Sequence, residues 1–160
     1  MSNEILDRIE QHWDPTSPRC GRLIQSFMLV WHYSVALSGS WAIAWGPKGG
    51  NRLAGDGQLT VYSIAPELFD TQHVAYLPLP DIHANLIASV TAFHGAWRYG
   101  VQGWNCEHWA RLVVSGEAVC HQVAKSGLGL LDVFGVFRRH RGAEQHLAMH
   151  RALSAPPLSA

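Results

Sequence analysis

Cys106 lies at the centre of the residues in this chain that are best suited to covalent chemistry. It belongs to the run Asn105-Cys106-Glu107-His108, which sets a thiol between an amide and a carboxylate. Asparagine is a preferred residue just before the first turn of a helix, so the run predicts a helix that begins at Cys106. Backbone N–H groups at a helix start favour a thiolate and can hold an oxyanion, a pattern typical of a nucleophilic cysteine.

Two other interpretations of Cys106 stay open. Free cysteine is among the most buried residue types, which makes an ordinary core residue a simple alternative. A zinc site requires several ligands at close spacing, and no second pair accompanies Cys106 and His108. His146 and His150 are one helical turn apart without a third ligand, which favours a solvated helix face. We therefore predict no metal site and no cofactor.

A nucleophilic cysteine requires a base, and His32 is the candidate. His108 is poorly placed, because residues two apart on a helix point to different faces. His32 lies in the β-branched and aromatic run 23–37, which predicts a central strand. Alternation puts His32 and Ser34 on the face with the smaller side chains, where we expect the cysteine helix to pack. A core histidine bound to a backbone carbonyl is the competing interpretation.

The order of the predicted elements indicates an α+β domain, an antiparallel sheet covered by helices. Apolar spacing predicts a helix at 4–13 and strands at Trp41–Trp45 and 59–65. Further predictions are a turn at 38–39, a Gly-rich loop at 46–58, a strand at 72–79, and helices from Asp81 and from Asn105 to Ser115.

Composition excludes several classes of protein. The 160 residues are 48% hydrophobic and 15% charged with a formal net charge of zero, which is typical of one globular domain. Without a basic excess, we expect no nucleic-acid partner. Three cysteines (Cys20, Cys106 and Cys120) argue against a disulfide framework and favour the reducing cytoplasm. We see neither a signal-peptide layout nor the roughly 20 apolar residues of a membrane span.

The segment Asn105–Gly116 resembles the signature of the lecithin retinol acyltransferase family. Members of that family carry an Asn-Cys-Glu-His core followed by an aromatic residue, and Trp109 fills the aromatic position here. Tyr99 also stands at the family's spacing before Cys106. This part of the resemblance is specific.

The N-terminal half resembles the same family more loosely. Gly21–Ile24 is similar to the Gly-Asp-x-Ile start of the family's first strand, with Arg22 in place of the acid. His32–Val35 is similar to a His-aromatic-small-aliphatic strand, and Gly39 follows as the turn. Together the similarities extend over about residues 20–120.

The resemblance implies a circularly permuted papain-like fold in which the strand of the histidine precedes the cysteine helix. It implies that Cys106 attacks an acyl ester, that His32 shuttles the proton, and that the acyl group passes to water, an amine or an alcohol. Asn105, Glu107 and Tyr99 would support the motif and the oxyanion. The family's substrates are chiefly phospholipids, so we expect a thiol acyltransferase or acyl hydrolase acting on lipid esters. A thiol peptidase or amidase is the alternative that the same fold supports.

Ala44 departs from the family's pattern. Relatives usually carry a second histidine on the next strand, a few residues before a proline, and Ala44 and Pro47 occupy these positions here. No other residue from Ser40 to Pro47 can replace the imidazole. Such a group orients the base and selects its tautomer. Its absence supports a further alternative, a binding or regulatory module with impaired chemistry.

With this resemblance the chain divides into three parts. An N-terminal helical extension (1–19) precedes the domain that resembles the family (20–125), and a C-terminal helical segment with a frayed tail follows (126–160). Within the last part, residues 128–141 combine an apolar stripe with three arginines. We favour coverage of the core for this stripe, and a weak contact with an anionic membrane surface is the alternative. The expected localisation is the cytoplasm, and a peripheral position on a membrane is the alternative.

Overall fold

The computed structural model describes residues 2–27, 31–48, 54–65, 70–71, 74–93, 98–100 and 105–121. Three helices and six strands lie in these ranges: α1 (Ser2–His12), β1 (Leu23–Phe27), β2 (Trp31–Ala36), β3 (Trp41–Pro47), β4 (Ala54–Ser63), β5 (Asp70–Thr71), α2 (Leu79–Phe93), β6 (Arg98–Gly100) and α3 (Cys106–Ser115). The predicted α+β class is confirmed.

The six described strands form one antiparallel sheet in the order β5-β1-β2-β3-β4-β6. Strands β1 and β2 are hydrogen-bonded to each other, with Phe27 opposite Trp31. The prediction of one strand over 23–37 is therefore wrong, because the chain reverses between these two residues. Apolar side chains run through the reversal without a Gly or Pro turn signal, so composition does not separate the two strands.

The pairing between β2 and β3 is short. Only Val35 and Ala36 of β2 pair with β3 in the described structure. The Ala36 N–H donates to the carbonyl of Arg22 on the β1 side. Because N–H groups alternate between the two edges of a strand, the Tyr33 N–H points away from β1, beyond the end of the β3 pairing. At this edge of β2 the Tyr33 N–H donates to the sulfur of Cys106, the first residue of α3.

Helix α3 packs on the face of β2 that carries Tyr33 and Val35. The expected face was the other one, with the smaller side chains, and that expectation is wrong. The larger side chains bury more apolar area against the helix, which decides the packing. The core on this side includes Ile9, Leu23, Tyr33, Val35, Leu37, Ile43, Trp45, Leu59, Val61, Leu86, Cys106, Trp109, Ala110, Leu112 and Val113.

The opposite face of the sheet has a smaller apolar cluster. Ile24, Ala36 and Ala42 are buried there, and Tyr62 and Ile64 pack against them. Strand alternation along β2 is thus confirmed, because Tyr33 and Val35 lie on one side and Ala36 on the other. His32 shares the parity, and therefore the face, of Ala36.

The other helices and strands agree in part with those predicted from the sequence. The predicted helix at 4–13 is confirmed as α1, and its Ile9 is fully buried in the core. Residues 74–78, predicted as strand, have no regular structure, and α2 begins at Leu79 rather than Asp81. Prolines at 78 and 80 explain this difference, since proline suits the first turn of a helix and cannot donate within a sheet.

Strand β4 begins at Ala54, inside the stretch predicted as a Gly-rich loop. Gly57 makes this possible, because a side-chain carbon there would fall inside the indole of Trp45. Trp45 therefore lies directly against the backbone of β4.

No helix among the described residues is long and apolar enough to cross a membrane. The segments 126–160 and 128–141 lie outside the described residues.

Candidate active site

Asn105 caps α3 and fixes the position of Cys106. Its Oδ1 accepts hydrogen bonds from the N–H groups of Glu107 at 3.0 Å and His108 at 3.3 Å. The His108 Nδ1 accepts in turn from the Asn105 N–H at 3.4 Å, which completes a reciprocal capping box. Cys106 is thus the first residue of the helix, as predicted, and the His108 ring is engaged with the cap.

The Cys106 thiol is buried on the core side of α3, with 3% of the residue exposed. The Tyr99 hydroxyl donates to its sulfur across 3.8 Å. Burial raises the pKa of the Cys106 thiol, whereas the Tyr33 N–H, the Tyr99 hydroxyl and the Glu107 N–H favour the thiolate and act in the opposite direction. The Glu107 N–H at the helix start thus lowers the pKa of Cys106 as expected, but loss of hydration outweighs this donor and the net shift of the pKa is upward.

Tyr99 acts on the sulfur as a donor. It lies on β6 opposite Gly55, and its ring centroid is 5.3 Å from that of Trp45. Burial and then the nearby charge of Cys106 raise the pKa of Tyr99 above its ordinary value. The phenol consequently stays protonated at neutral pH and does not serve as the base for Cys106.

A buried polar network ties the chain after α3 to the first turn of that helix. The Glu107 carboxylate, fully buried, accepts from the Arg111 Nε at 2.9 Å and the His121 N–H at 3.1 Å. Its second oxygen accepts from the Cys120 thiol at 3.2 Å, and the Asn105 amide donates to the Cys120 sulfur at 3.3 Å. A carboxylate removed from water requires such donors, so Glu107 holds structure here.

Sequence reasoning missed Arg111 and Cys120 in this network. The four-residue spacing of Glu107 and Arg111 on a helix was a usable signal for their ion pair. Cys120 carried no such signal, because its contact with Glu107 depends on the path of the chain after α3.

His32 lies on the face of β2 opposite Cys106. It lines a cavity of about 410 Å³ together with Ser26, Ala44, Thr60 and Tyr62, among others. Burial lowers the pKa of His32, so the ring is neutral at pH 7. Within the described part of the chain its ring makes no hydrogen bond. The structure does not bring the two predicted residues into contact.

Ala44 lies in the same cavity as His32. It is buried on β3, directly opposite Thr60 of β4, and it lines the space that a larger side chain would fill. The described lining contains no carboxylate or amide side chain that could orient the His32 ring. The sequence departure at Ala44 therefore corresponds to open volume.

No group of three or more His, Cys, Asp and Glu residues in the described ranges is placed to hold a metal ion. His146 and His150 lie outside those ranges.

Comparisons of the chain with models of protein families, with curated proteins and with solved structures find no match. The resemblance to the lecithin retinol acyltransferase family accordingly rests on the sequence motifs alone.

Proposed function

We propose that the protein is a thiol-dependent acyltransferase or acyl hydrolase with Cys106 as its nucleophile. One observation carries the proposal: Cys106 opens a capped helix, with the Tyr99 hydroxyl 3.8 Å from its sulfur. The N–H groups of Tyr33 and Glu107 also favour the thiolate. Donors that favour a negative sulfur can equally stabilise the oxyanion that forms when sulfur attacks an ester. A permuted papain-like fold is part of this proposal, supported by the packing of the cysteine helix on β1, β2 and β3, which precede it in the chain.

The proposed reaction has two steps. In the first, the Cys106 sulfur bonds to the acyl carbon, the ester C–O bond breaks, and the alcohol leaves with the thiol's proton. In the second, water, an amine or an alcohol attacks the thioester and restores the thiol. His32 is the proposed proton carrier, since its neutral ring can accept a proton at pH 7. Because His32 faces away from Cys106, this transfer requires a bridging water or a rearrangement of β2.

A lipid ester is the proposed acyl donor, as the resemblance implies. The proposed location is the cytoplasm, free or at a membrane surface. All three cysteines are described and buried, and none of them forms a disulfide. Free thiols are typical of a reducing compartment, which supports this location.

A second candidate is a binding module with the same fold and impaired chemistry. The observation that favours it is the separation of His32 from Cys106, together with the raised pKa of the thiol. A thiol peptidase or amidase is the third candidate. It differs from the first only in the bond that is cleaved, so one experiment can compare all three.

The test is acyl-enzyme trapping followed by intact-protein mass spectrometry. The native protein is incubated separately with a phospholipid, a fatty-acyl p-nitrophenyl ester and a peptide p-nitroanilide. We expect an acyl adduct from the two esters, mapped to Cys106, absent from Cys106→Ala and retained in Cys20→Ser. His32→Ala should slow its formation.

Each outcome distinguishes the candidates. An adduct from the peptide substrate alone would favour the peptidase. If no donor labels the native protein, or if Cys106→Ala is labelled equally, thiol catalysis is contradicted and the binding module is favoured.

A further inference from the structure

We propose that the cavity beside His32 binds a small neutral ligand with an apolar body and one hydroxyl group. The cavity lies on the sheet face opposite α3, and its volume is about 410 Å³. Cavities that hold small molecules in proteins measure roughly 300–1,000 Å³. The size therefore suits a compact ligand rather than a long chain.

Small residues on β3 create the space. Ala44 and Gly46 form the middle of the lining, and Ile24, Tyr62 and Ile64 contribute apolar surface around them. A side-chain carbon added at Gly46 would meet no atom of the described residues within 4 Å, which indicates open volume at that point. An apolar space of this kind favours an apolar ligand body.

The polar groups of the cavity define the rest of the ligand. The Tyr62 hydroxyl is already paired with the Ser34 hydroxyl at 2.7 Å. The His32 ring, in contrast, makes no hydrogen bond to another described residue, and its neutral form has one donor and one acceptor nitrogen. A single hydroxyl on the ligand would pair with this ring.

The described lining residues disfavour ionic ligands at this site. The described lining has Ser, Thr, Tyr and His side chains but no Lys, Arg, Asp or Glu. Burial lowers the pKa of His32, so its ring does not supply a positive charge at neutral pH. A charged ligand would lose its hydration here without gaining a counter-ion. Neutrality is thus part of the recognition.

The test uses benzyl alcohol and toluene as probes of matched shape. Each is titrated into isotope-labelled native protein, and backbone amide shifts are followed by nuclear magnetic resonance. We expect saturable shifts that are largest near Ala44, Gly46 and Thr60. His32→Leu removes the polar partner but keeps an apolar wall, so it should weaken benzyl alcohol binding by about fivefold and leave toluene unchanged.

Cavity-filling variants supply the second arm of the test. Ala44→Leu should abolish binding of both probes. Thr60→Phe, at an exposed position of the lining, should have the same effect and replaces Ala44→Leu in the test if that variant does not fold. Ala84→Leu, the same change on the exposed side of α2, should leave binding intact. Non-saturable shifts, or equal binding by the filled variants, would overturn the proposal.

The cavity shares His32, the proposed proton carrier, with the thiol chemistry, but it does not include the nucleophile. Cys106 lies on the other side of the sheet and contributes nothing to the cavity lining. The probes should therefore bind Cys106→Ala as they bind the native protein. Failure of acyl trapping and failure of probe binding are separate results.

Discussion

The hydroxyl of Tyr99 on β6 donates to the sulfur of Cys106 at the start of α3, across 3.8 Å. Both residues are buried, so water does not replace this donor when it is removed. We expect Tyr99→Phe to raise the pKa of Cys106 further and to slow its alkylation several-fold. The measurement is the rate of iodoacetamide labelling of Cys106 between about pH 7 and pH 10, followed by peptide mass spectrometry.

Tyr76→Phe is the matched control for this prediction. The Tyr76 hydroxyl accepts from the Leu23 N–H at 3.1 Å, so its removal affects a different hydrogen bond. Its removal should leave the labelling profile of Cys106 unchanged. Equal profiles for Tyr99→Phe and the native protein would show that the hydroxyl does not stabilise the thiolate.

His108 makes folding stability depend on pH. Burial lowers the pKa of His108 to about 4, below its ordinary value near 6.5. The unfolded chain therefore binds the proton more tightly between these two values, so stability is complete above about pH 6.5 and declines as the pH falls toward 4. We expect a loss of at most about 2 kcal/mol from this residue at about pH 5, measured by urea denaturation at that pH and at pH 7.

His108→Gln isolates this contribution. Glutamine at the third helical position can still complete the capping box with Asn105, so the helix start is preserved. The pKa of His32 is also lowered by burial, and its share of the pH dependence remains in the variant. We expect His108→Gln to lose less stability between pH 7 and pH 5 than the native protein. The same loss in both proteins would contradict the assignment.

Local signals predicted the start of α3 correctly. The Asn105 cap and the helical spacing that follows it depend on residues close in sequence, and the structure has the helix from Cys106 to Ser115. The burial of Cys106 toward the core also followed from that spacing. Its pKa did not, because burial depends on everything that packs around the thiol.

Relations between distant parts of the chain were the ones that sequence reasoning missed. Alternation correctly separated His32 from Tyr33, but it does not say which face of β2 receives α3. That choice depends on the large side chains of neighbouring strands, such as Ile43 and Trp45 on β3. The reversal between β1 and β2 was also hidden, because apolar residues continue through it. The position of the proposed base relative to Cys106 depended on these non-local features.

Glu107 and Arg111 form a buried ion pair whose two members depend on each other. The Arg111 Nε lies 2.9 Å from the carboxylate, and both side chains are largely shielded from water. Glu107→Gln would leave a buried guanidinium without its counter-ion, which typically costs about 3–5 kcal/mol. We expect the double variant Glu107→Gln/Arg111→Met to lose less stability than the sum of the single variants. Urea denaturation of all four proteins measures this coupling, and additivity within about 0.5 kcal/mol would contradict it.

Gly57 on β4 lies against the indole of Trp45 on the neighbouring strand β3. A side-chain carbon at this position would overlap the ring atoms, so Gly57→Ala must displace either the indole or the strand. We expect a loss of about 1–3 kcal/mol in the free energy of unfolding, as for other overpacked cores. Gly46→Ala is the matched control on the paired strand, because a carbon added there meets no atom of the part of the chain that the structure describes within 4 Å. In thermal unfolding followed by circular dichroism, the control should be as stable as the native protein or slightly more stable. Equal losses of stability in the two variants would show that contact with Trp45 does not require glycine at position 57.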